Sequence, residues 1–322
     1  MKVLVTDPIA KSGISILEEA NINVVQLNDA SVDDKLNACV DIEGWIVRSG
    51  TSIDLKAIKA AKRLRAICRA GVGVDNIDIQ AATRKGIVVM NTPDVNTISA
   101  AEHTIAMILT LSRNISQGDY ELKQNKWNRH LLIGSELRNK TLGIVGLGKI
   151  GREVMSRSLP FGMKIIGYDP FVSQKMFNSE EIKIVNLDEI TEQSDFITIH
   201  VPLNKETKNL FNEKRLKKMK KTARIINVSR GGIINEEDLA KSLINNDISG
   251  AAIDVFATEP VDKSNPLLRA PNTLLTPHLG ASTKEAKEGV SISICEQIRD
   301  YLLENKLNNA INMPCLLYTS PS

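Results

Sequence analysis

The chain alternates short β-branched runs with amphipathic stretches along most of its length, and this alternation constrains the fold more than any other feature. The first 96 residues contain five such runs, which we interpret as strands: Val3–Thr6, Val24–Leu27, Trp45–Arg48, Ala66–Arg69 and Ile87–Asn91. The stretches between them have the apolar spacing of helices. Strands that alternate with helices in this way are typical of a parallel sheet covered by helices.

A second series of the same kind follows a long helical stretch, Ser99–Ser112. Its predicted strands are Leu142–Val145, Lys164–Tyr168, Phe196–His200, Arg224–Val228, Ala251–Val255 and Thr273–Thr276. A final helix, Lys284–Leu303, is expected to return to the first series, which makes the first domain discontinuous. The predicted fold class is therefore α/β, with two doubly wound parallel-sheet domains, the second inserted into a flavodoxin-like first one.

The predicted domain boundaries follow from these changes of pattern. Residues 1–96 and the return helix at 284–314 form the first domain, and residues 97–283 form the inserted one. Residues 315–322 abandon both patterns, and we interpret them as a non-native tail left by cloning; the alternative is a short natural tail. A chain of 322 residues, of which 42% are hydrophobic, is long enough to fill two such cores.

Composition disfavours several classes of partner. The 41 basic residues nearly balance the 38 acidic ones, and the net charge of +3 is spread along the chain, so nucleic acid is not an expected partner. One basic run, Lys214–Lys221, is interrupted by Leu216 and Met219 and is predicted to be a solvated helix face. No apolar run reaches the roughly 18 residues of a bilayer span, and the first residues lack a secretion-signal pattern. We therefore expect a soluble protein.

The four cysteines show no spacing of the kind that binds zinc or forms a redox dithiol; they are Cys39, Cys68, Cys295 and Cys315. We predict no metal site. Unpaired thiols fit a reducing compartment, so the expected location is cytoplasmic.

A glycine-rich motif, GLGKIG, follows the Leu142–Val145 run and opens a helical stretch. Gly146 permits a tight turn, Gly148 allows backbone N–H groups to reach a pyrophosphate, and Gly151 allows the helix to pack closely on the strand. The next predicted strand ends beside Asp169, where a carboxylate binds the adenosine ribose. This context predicts a Rossmann domain that binds NAD, since the 2′-phosphate of NADP would meet a like charge.

Three polar side chains each come shortly after one of the last three predicted strands: Arg230, Glu259 and His278. Because the carboxyl ends of parallel strands meet at one edge of a sheet, we expect these side chains to lie together. An acid–base histidine needs a carboxylate beside it, and a guanidinium binds carboxylate and carbonyl oxygens. The set therefore predicts oxidation of a 2-hydroxy acid, with His278 as the base.

The other three histidines are weaker candidates. His103 lies in a largely apolar helix and is predicted to be packed, whereas His130 lies in a polar stretch and is predicted to be solvated. His200 ends a predicted strand, so a site-lining role and a structural role are about equally supported.

These motifs together resemble the D-isomer-specific 2-hydroxyacid dehydrogenases over residues 2–312. The segments that carry the resemblance are RAGVGVDN at 69–76, GLGKIGR at 146–152, SRGG at 229–232, DVF at 254–256 with Glu259-Pro260, and PHLGA at 277–281. The resemblance implies that Arg230, Glu259 and His278 are catalytic. It implies NAD contacts from the motif glycines and from ten further residues: Lys149, Ile150, Asp169, Val201, Val228, Ser229, Asp254, Leu279, Gly280 and Ala281.

The resemblance also implies substrate contacts from a second set of residues: Arg48, Ser49, Gly71, Val72, Gly73 and Asn96. The Gly71–Gly73 turn would offer backbone N–H groups to the substrate carboxylate. Val72 and Val201 stand where animal members that act on 3-phosphoglycerate usually place threonine, which puts side-chain hydrogen bonds to NAD in question at both positions.

Within the family, the members that oxidise 3-phosphoglycerate, the first step of serine biosynthesis, match most closely. The implied activity is NAD-dependent oxidation of a D-2-hydroxy acid; the alternatives are a hydroxypyruvate or glyoxylate reductase and an NAD-sensing protein of the corepressor kind.

Related enzymes place the segment Lys126–Arg129 at a subunit interface, so the resemblance implies a homodimer in which Trp127 packs on the partner and Arg129 binds phosphate. The alternative is that Trp127 folds back on its own domain. Longer members continue past Pro314 into regulatory domains.

Overall fold

A computed structural model describes residues 1–28 and 30–313, so Pro314 and the predicted tail at 315–322 lie outside the described residues. The chain divides into two compact units. The first comprises Met1–Asn96 and Thr283–Ser322, and the second comprises Thr97–Ser282. Each unit contains one parallel sheet with helices against it.

The first unit is built on a five-stranded parallel sheet in the order β2-β1-β3-β4-β5. The strands are β1 (Lys2–Val5), β2 (Asn23–Gln26), β3 (Gly44–Val47), β4 (Ala66–Arg69) and β5 (Val88–Asn91). The helices are α1 (Lys11–Glu19), α2 (Val32–Ala38), α3 (Leu55–Ala60), α4 (Ile79–Arg84) and, late in the chain, α11 (Lys284–Glu304). This strand order is the flavodoxin-like one that the sequence predicts.

Helix α11 packs against α1 in the first unit. Ile14 and Leu17 of α1 share a buried apolar cluster with Ile294 and Ile298 of α11. The two backbones approach so closely that a Cβ atom at Gly13 would lie 2.5 Å from the carbonyl oxygen of Ser291. The late part of the chain thus completes the core that the first 96 residues begin.

A short segment after α11 covers the edge strand β5. Ala310 forms an antiparallel bridge with Met90, and the N–H of Ile311 donates to the carbonyl oxygen of Val89 at 2.8 Å. The side chain of Asn312 accepts a hydrogen bond from the N–H of Val89 at 2.9 Å. The predicted final helix, Lys284–Leu303, is observed as Lys284–Glu304, and residues 310–312 beyond it pair with a strand, which the sequence analysis did not predict.

The second unit is built on a seven-stranded parallel sheet in the order β12-β11-β10-β9-β6-β7-β8. The strands are β6 (Thr141–Val145), β7 (Lys164–Tyr168), β8 (Lys183–Ile184), β9 (Phe196–Ile199), β10 (Arg224–Asn227), β11 (Gly250–Ile253) and β12 (Thr273–Leu275). The helices are α5 (Thr97–Arg113), α6 (Ile115–Lys123), α7 (Lys149–Ser158), α8 (Leu187–Gln193), α9 (Glu213–Leu216) and α10 (Glu236–Ile244). The order reverses between β6 and β9, as in a Rossmann fold.

Both faces of this second sheet are buried. In β10, Ile225 points into one apolar cluster and Ile226 into the cluster on the opposite face, as expected for neighbours in a strand. The predicted fold class of two doubly wound parallel sheets is confirmed. None of the helices in the described ranges combines the length and apolarity needed to cross a bilayer.

Two local predictions in the second unit need correction. The sequence analysis did not predict β8, which has only two residues at the edge of the sheet. The basic run Lys214–Lys221 is helical only as far as Leu216, after which the chain turns. Leu216 and Met219 are nevertheless buried, so the run is solvated on one side as expected.

Candidate active site

Three neighbouring strands of the second unit end in loops that carry the predicted catalytic side chains. Arg230 follows β10, Glu259 follows β11 and His278 follows β12, and these three strands are adjacent in the sheet. Because all strands are parallel, the three loops lie at the same edge. This edge is where ligands bind in open α/β sheets.

His278 and Glu259 form a direct pair. The Nδ1 atom of His278 lies 2.7 Å from Oε2 of Glu259, and Oε1 of the same carboxylate accepts the N–H of Phe256 at 3.0 Å. Burial alone would raise the pKa of the Glu259 carboxyl, but the hydrogen bonds from His278 and Phe256 outweigh it and hold the pKa below its ordinary value. The carboxylate is therefore ionised near neutral pH.

An ionised carboxylate can only accept hydrogen bonds, so the Nδ1 atom of His278 carries the proton in this pair. In a neutral imidazole the lone pair then lies on Nε2. The His278 side chain is 44% exposed. The pair thus presents a proton acceptor at an accessible position and a carboxylate that stabilises the charge formed on protonation.

The backbone of His278 adopts a left-handed conformation, with φ of 54°. This region costs a non-glycine residue about 1–2 kcal/mol, so the surrounding structure has to impose it. The N–H of His278 donates to the carbonyl oxygen of Asp254 at 2.8 Å, and the next two N–H groups, of Leu279 and Gly280, donate to the Asp254 carboxylate at 2.7 and 2.8 Å. A buried side chain of β11's loop therefore fixes the turn that carries the base.

The Arg230 loop is fixed by Asn227, the last residue of β10. The Asn227 amide donates to the carbonyl oxygen of Arg230 at 2.9 Å, and its oxygen accepts from the N–H and the hydroxyl of Ser229. A Cβ atom at Gly231 would lie only 1.9 Å from the carbonyl oxygen of Phe256, in the loop that leads to Glu259. Only glycine permits this approach, which brings the arginine loop against the glutamate loop.

The glycine motif has the geometry of a dinucleotide cradle. A Cβ atom at Gly151 would lie 2.1 Å from the carbonyl oxygen of Gly146, so glycine is required for the helix to pack this closely. Gly148 is the N-cap of α7, and a Cβ atom there would meet no atom within 4 Å. Space is thus open beside the N-terminus of α7, and the helix dipole favours an anion there. These residues fit the pyrophosphate of NAD.

Asp169 lies just beyond β7 and beside the glycine loop. Its Oδ2 accepts the N–H of Leu147 at 2.9 Å, and its Oδ1 accepts the N–H of Phe171 at 2.9 Å. A carboxylate has about four acceptor positions, so capacity remains for ribose hydroxyls. Pro170 and Phe171, which follow, bring no cation to this position.

The remaining predicted cofactor residues lie around the same edge. Lys149 and Ile150 begin α7, and the side chain of Val201 lies where a Cβ atom at Gly146 would touch it, at 2.9 Å. Val228 is buried and packs against Gly280, where an added Cβ atom would come within 2.9 Å of it. Ser229 and Ala281 are partly exposed. Their NAD contacts stay predictions.

The other histidines differ from His278 in their surroundings. Desolvation lowers the pKa of His200 to about 3, so this histidine is neutral. Its Nε2 atom lies 2.9 Å from the hydroxyl of Thr198, in the strand that it follows. This contact supports the structural interpretation of His200. His130 is exposed, as predicted. His103 is packed in α5, as predicted, with Nε2 3.2 Å from Oδ1 of Asp254.

The predicted substrate residues of the first unit lie on loops that follow β3 and β4. The side chain of Asp7 accepts the N–H of Arg48 at 2.6 Å and that of Thr51 at 3.2 Å, and the amide of Asn76 donates to both of their carbonyl oxygens. Arg48 and Ser49 are thereby presented from a fixed backbone. The role of these two residues toward a substrate stays a prediction.

The second loop of the first unit carries Gly71, Val72 and Gly73. Gly71 has φ of 145°, and a Cβ atom there would lie 1.5 Å from a guanidinium nitrogen of Arg69. The amide of Asn91 donates to the carbonyl oxygen of Val72 at 2.7 Å. Asn96, at the end of this part of the unit, has a buried side-chain oxygen without a hydrogen-bond partner among the described residues.

An exposed apolar segment extends from α6 to the loop before β6. Trp127 is 76% exposed, so the alternative that it folds back on its own domain is wrong for this chain. The segment exposes five more large apolar side chains: Ile115, Tyr120, Leu122, Leu131 and Ile133. A single 3₁₀ turn, Arg129–Leu131, follows Trp127. Arg129, the first residue of this turn, is exposed.

Sequence reasoning missed three residues that hold the site in place. Asn227, Thr276 and His103 bond to the loops or to the Asp254 carboxylate, but each is a common residue type in a strand or helix pattern. A polar residue at an inward-facing position of a buried strand is the signal that could have identified Asn227, since buried polar groups are almost always hydrogen-bonded.

Residues 105–280 match the family profile described as D-isomer specific 2-hydroxyacid dehydrogenase, NAD binding domain. The chain is 48% identical to a D-3-phosphoglycerate dehydrogenase of a Synechocystis species, over 98% of this chain and 56% of the relative. It is similar in structure to the TT0316 protein of Thermus thermophilus, with a TM-score of 0.89, 30% identity and coverage of 97% of this chain and 100% of that one. An NAD-dependent formate dehydrogenase from Staphylococcus aureus, solved in complex with NAD, matches with a TM-score of 0.88, 30% identity and coverage of 97% and 99%.

The chain spans little more than half the length of the Synechocystis relative. The matched profile covers the glycine motif, Asp169 and the three loops that carry Arg230, Glu259 and His278. It confirms both the predicted Rossmann domain that binds NAD and the predicted resemblance. The chain therefore belongs to the D-isomer specific 2-hydroxyacid dehydrogenase family, and residues 105–280 match its NAD-binding domain.

Proposed function

We propose that this chain oxidises a D-2-hydroxy acid with NAD, and that the substrate is 3-phosphoglycerate. The observation that carries the proposal is the pair formed by His278 and Glu259, at 2.7 Å, beside the Arg230 loop and at the same sheet edge as the glycine cradle. When bound, NAD supplies the nicotinamide that accepts a hydride from the α-carbon.

In this proposal His278 removes the hydroxyl proton. Its Nδ1–H is engaged with Glu259, so Nε2 is the atom that accepts the proton. Glu259 then stabilises the imidazolium, because its carboxylate stays ionised. Arg230 binds the substrate carboxylate and polarises the reacting oxygen, for which a planar guanidinium is suited.

Asp169 supports NAD over NADP as the cofactor. A 2′-phosphate at the adenosine ribose would face this carboxylate, and no cation stands at the two following positions. Even about 2 kcal/mol of repulsion lowers affinity more than tenfold.

The choice of 3-phosphoglycerate rests on two arguments. The Synechocystis relative, 48% identical over 98% of this chain, carries the name D-3-phosphoglycerate dehydrogenase. A phosphate also needs a cation besides Arg230, and the half-buried Arg48 and the exposed Arg129 offer one each. This assignment would place the chain in serine biosynthesis.

A homodimer is part of the proposal. A tryptophan that is 76% exposed, in a segment with five more exposed apolar side chains, is costly in water and typical of an interface. We propose that Trp127 packs on a second copy and that Arg129 binds the phosphate across that interface. A cytoplasmic location fits the three buried free thiols of Cys39, Cys68 and Cys295.

The experiment that tests the function is formation of NADH, followed at 340 nm, with a panel of D-2-hydroxy acids that includes 3-phosphoglycerate, glycerate and glycolate. We expect the highest kcat/KM with 3-phosphoglycerate. A preference for glycerate or glycolate would favour a hydroxypyruvate or glyoxylate reductase. Binding of NAD without turnover of any acid would favour the NAD-sensing alternative.

A further inference from the structure

The carboxylate of Asp254 is completely buried, with 0% of the residue exposed, and it receives four hydrogen bonds. Two come from the N–H groups of Leu279 and Gly280, in the turn that begins at His278. A third comes from the hydroxyl of Thr276 at 2.6 Å, and the fourth contact is His103 at 3.2 Å. A buried charge needs such partners, because it has lost its hydration.

The proton positions in this cluster follow from its geometry. The Thr276 hydroxyl has one proton, and its distance of 2.6 Å from Oδ1 of Asp254 shows that the proton points there. The carboxylate has no proton to give. His103, at 3.2 Å from Asp254 and 3.4 Å from Thr276, must therefore donate from Nε2.

Electrostatics agree with this assignment. Burial raises the pKa of the Asp254 carboxyl, but the hydrogen bonds outweigh it, the one from His103 most of all, and the pKa lies below its ordinary value. Asp254 thus remains an anion that can hold two consecutive backbone N–H groups.

We propose that His103 is a positioning residue for the reaction: its Nε2–H orients the Asp254 carboxylate, which in turn holds the left-handed turn that places His278 against Glu259. The proposal rests on the function proposed above, in which His278 is the base. His103 itself touches neither Glu259 nor His278 by any hydrogen bond that the described residues show, so it acts through Asp254.

Three substitutions separate a donated hydrogen bond from simple packing. His103→Gln places an amide N–H close to the position of the imidazole Nε2, His103→Asn carries the same amide about one bond short, and His103→Leu removes the donor. Thr104→Val is the matched control, since that neighbour is buried in α5 and its hydroxyl donates within the helix, to the carbonyl oxygen of Ala100. Thermal unfolding identifies any variant that does not fold.

The first measurement is kcat and KM with the D-2-hydroxy acid that the wild type oxidises. Misplacing a reacting group by about 1 Å can cost about a hundredfold, so we expect kcat to fall about tenfold in the Leu and Asn variants. The Gln variant should stay within about twofold of the wild type, and KM should change little in all three. Equal losses in the Gln and Asn variants would overturn the proposal, because packing alone would then explain them.

The second measurement needs neither substrate nor cofactor. The chain has four histidines, so the NMR resonances of the imidazoles in histidine-labelled protein can be assigned by substitution. The resonances that disappear in His278→Asn belong to His278. We expect the His278 resonances to shift in the Leu and Asn variants and to stay in place in the Gln and Thr104→Val proteins. Unshifted His278 resonances in folded Leu and Asn variants would overturn the positioning role, whereas a wild type without activity but with the expected shifts would count against the proposed function alone.

Discussion

The two units share one architecture but differ in what their strand ends hold. In the first unit, the carboxylate of Asp7 and the amide of Asn76 bond to the backbone of the loop that presents Arg48. In the second unit, the carboxylate of Glu259 bonds to the ring of His278 and so engages another titratable side chain. A doubly wound sheet thus provides an edge at which ligands bind, and the side chains on its loops decide whether that edge positions a ligand or carries out a reaction.

The largest expected effect tests whether the chemistry belongs to the second unit. His278→Ala should lower kcat by about a hundredfold or more while NAD binding stays nearly intact, because general acid–base catalysis typically contributes that much. His200→Ala is the control, since the ring of that neutral histidine bonds only to the hydroxyl of Thr198 among the contacts described. Steady-state kinetics and NAD titration measure both. A far greater loss in His200→Ala would contradict the assignment of the base.

A second substitution asks which unit supplies the cation for the phosphate. Arg129→Ala should raise KM for 3-phosphoglycerate by about tenfold and KM for an unphosphorylated hydroxy acid much less, since one charge-assisted hydrogen bond contributes about 1.5–3 kcal/mol. Lys126→Ala, at an exposed cation of the same segment, is the control. A selective loss in Arg48→Ala instead would move the phosphate contact to the first unit. Equal losses on both substrates, or a fully active monomer in sedimentation, would rule out Arg129 across a dimer interface.

A third substitution tests Asp169, whose carboxylate in the second unit should bind the hydroxyl groups of the adenosine ribose of NAD. The wild type should prefer NAD to NADP by more than about tenfold in kcat/KM, and Asp169→Ala should narrow that ratio because the repulsive charge is gone. Measuring both cofactors on one protein preparation controls for any loss of folded enzyme. Comparable kcat/KM values for both cofactors in the wild type would refute the role of Asp169.

The smallest expected effect compares a carboxylate of each unit. The pKa of Glu259 is below its ordinary value, so its charge is present above that pKa and is lost as the pH falls through it. Glu259→Gln removes the carboxylate charge beside the base, so the acid limb of the rate profile should move to lower pH. Asp7→Asn in the first unit should leave the limb in place, because Asp7 accepts backbone N–H groups. An acid limb that does not move in Glu259→Gln would show that the charge of Glu259 does not act on the base.

Sequence reasoning predicted the elements that depend on local pattern. Strands such as Ala66–Arg69 and Lys164–Tyr168 have the predicted bounds, since a buried parallel strand is a continuous apolar run. The two-residue strand β8 and the strand-like pairing of residues 310–312 were missed, because both depend on a neighbouring strand that local pattern does not specify.

The site divides in the same way. The loops with Arg230, Glu259 and His278 could be predicted because each follows a strand whose end was evident. The hydrogen bond between His103 and Asp254, which fixes the His278 turn, could not be predicted, since His103 and Asp254 are 151 positions apart in the chain. A hydrogen bond between side chains at that separation exists only once the sheet and α5 have packed.

The pairing of residues 310–312 with β5 has a consequence for solubility. A bare edge strand offers unpaired N–H and C=O groups to any other chain and is a site of aggregation. Here the bridge from Ala310 to Met90 and the amide of Asn312 occupy that edge, so the late residues shield the strand from other molecules. Shortening the chain to the end of α11 would uncover Val88–Asn91, and such a fragment should associate through its β5 edge even though its helices and core are complete.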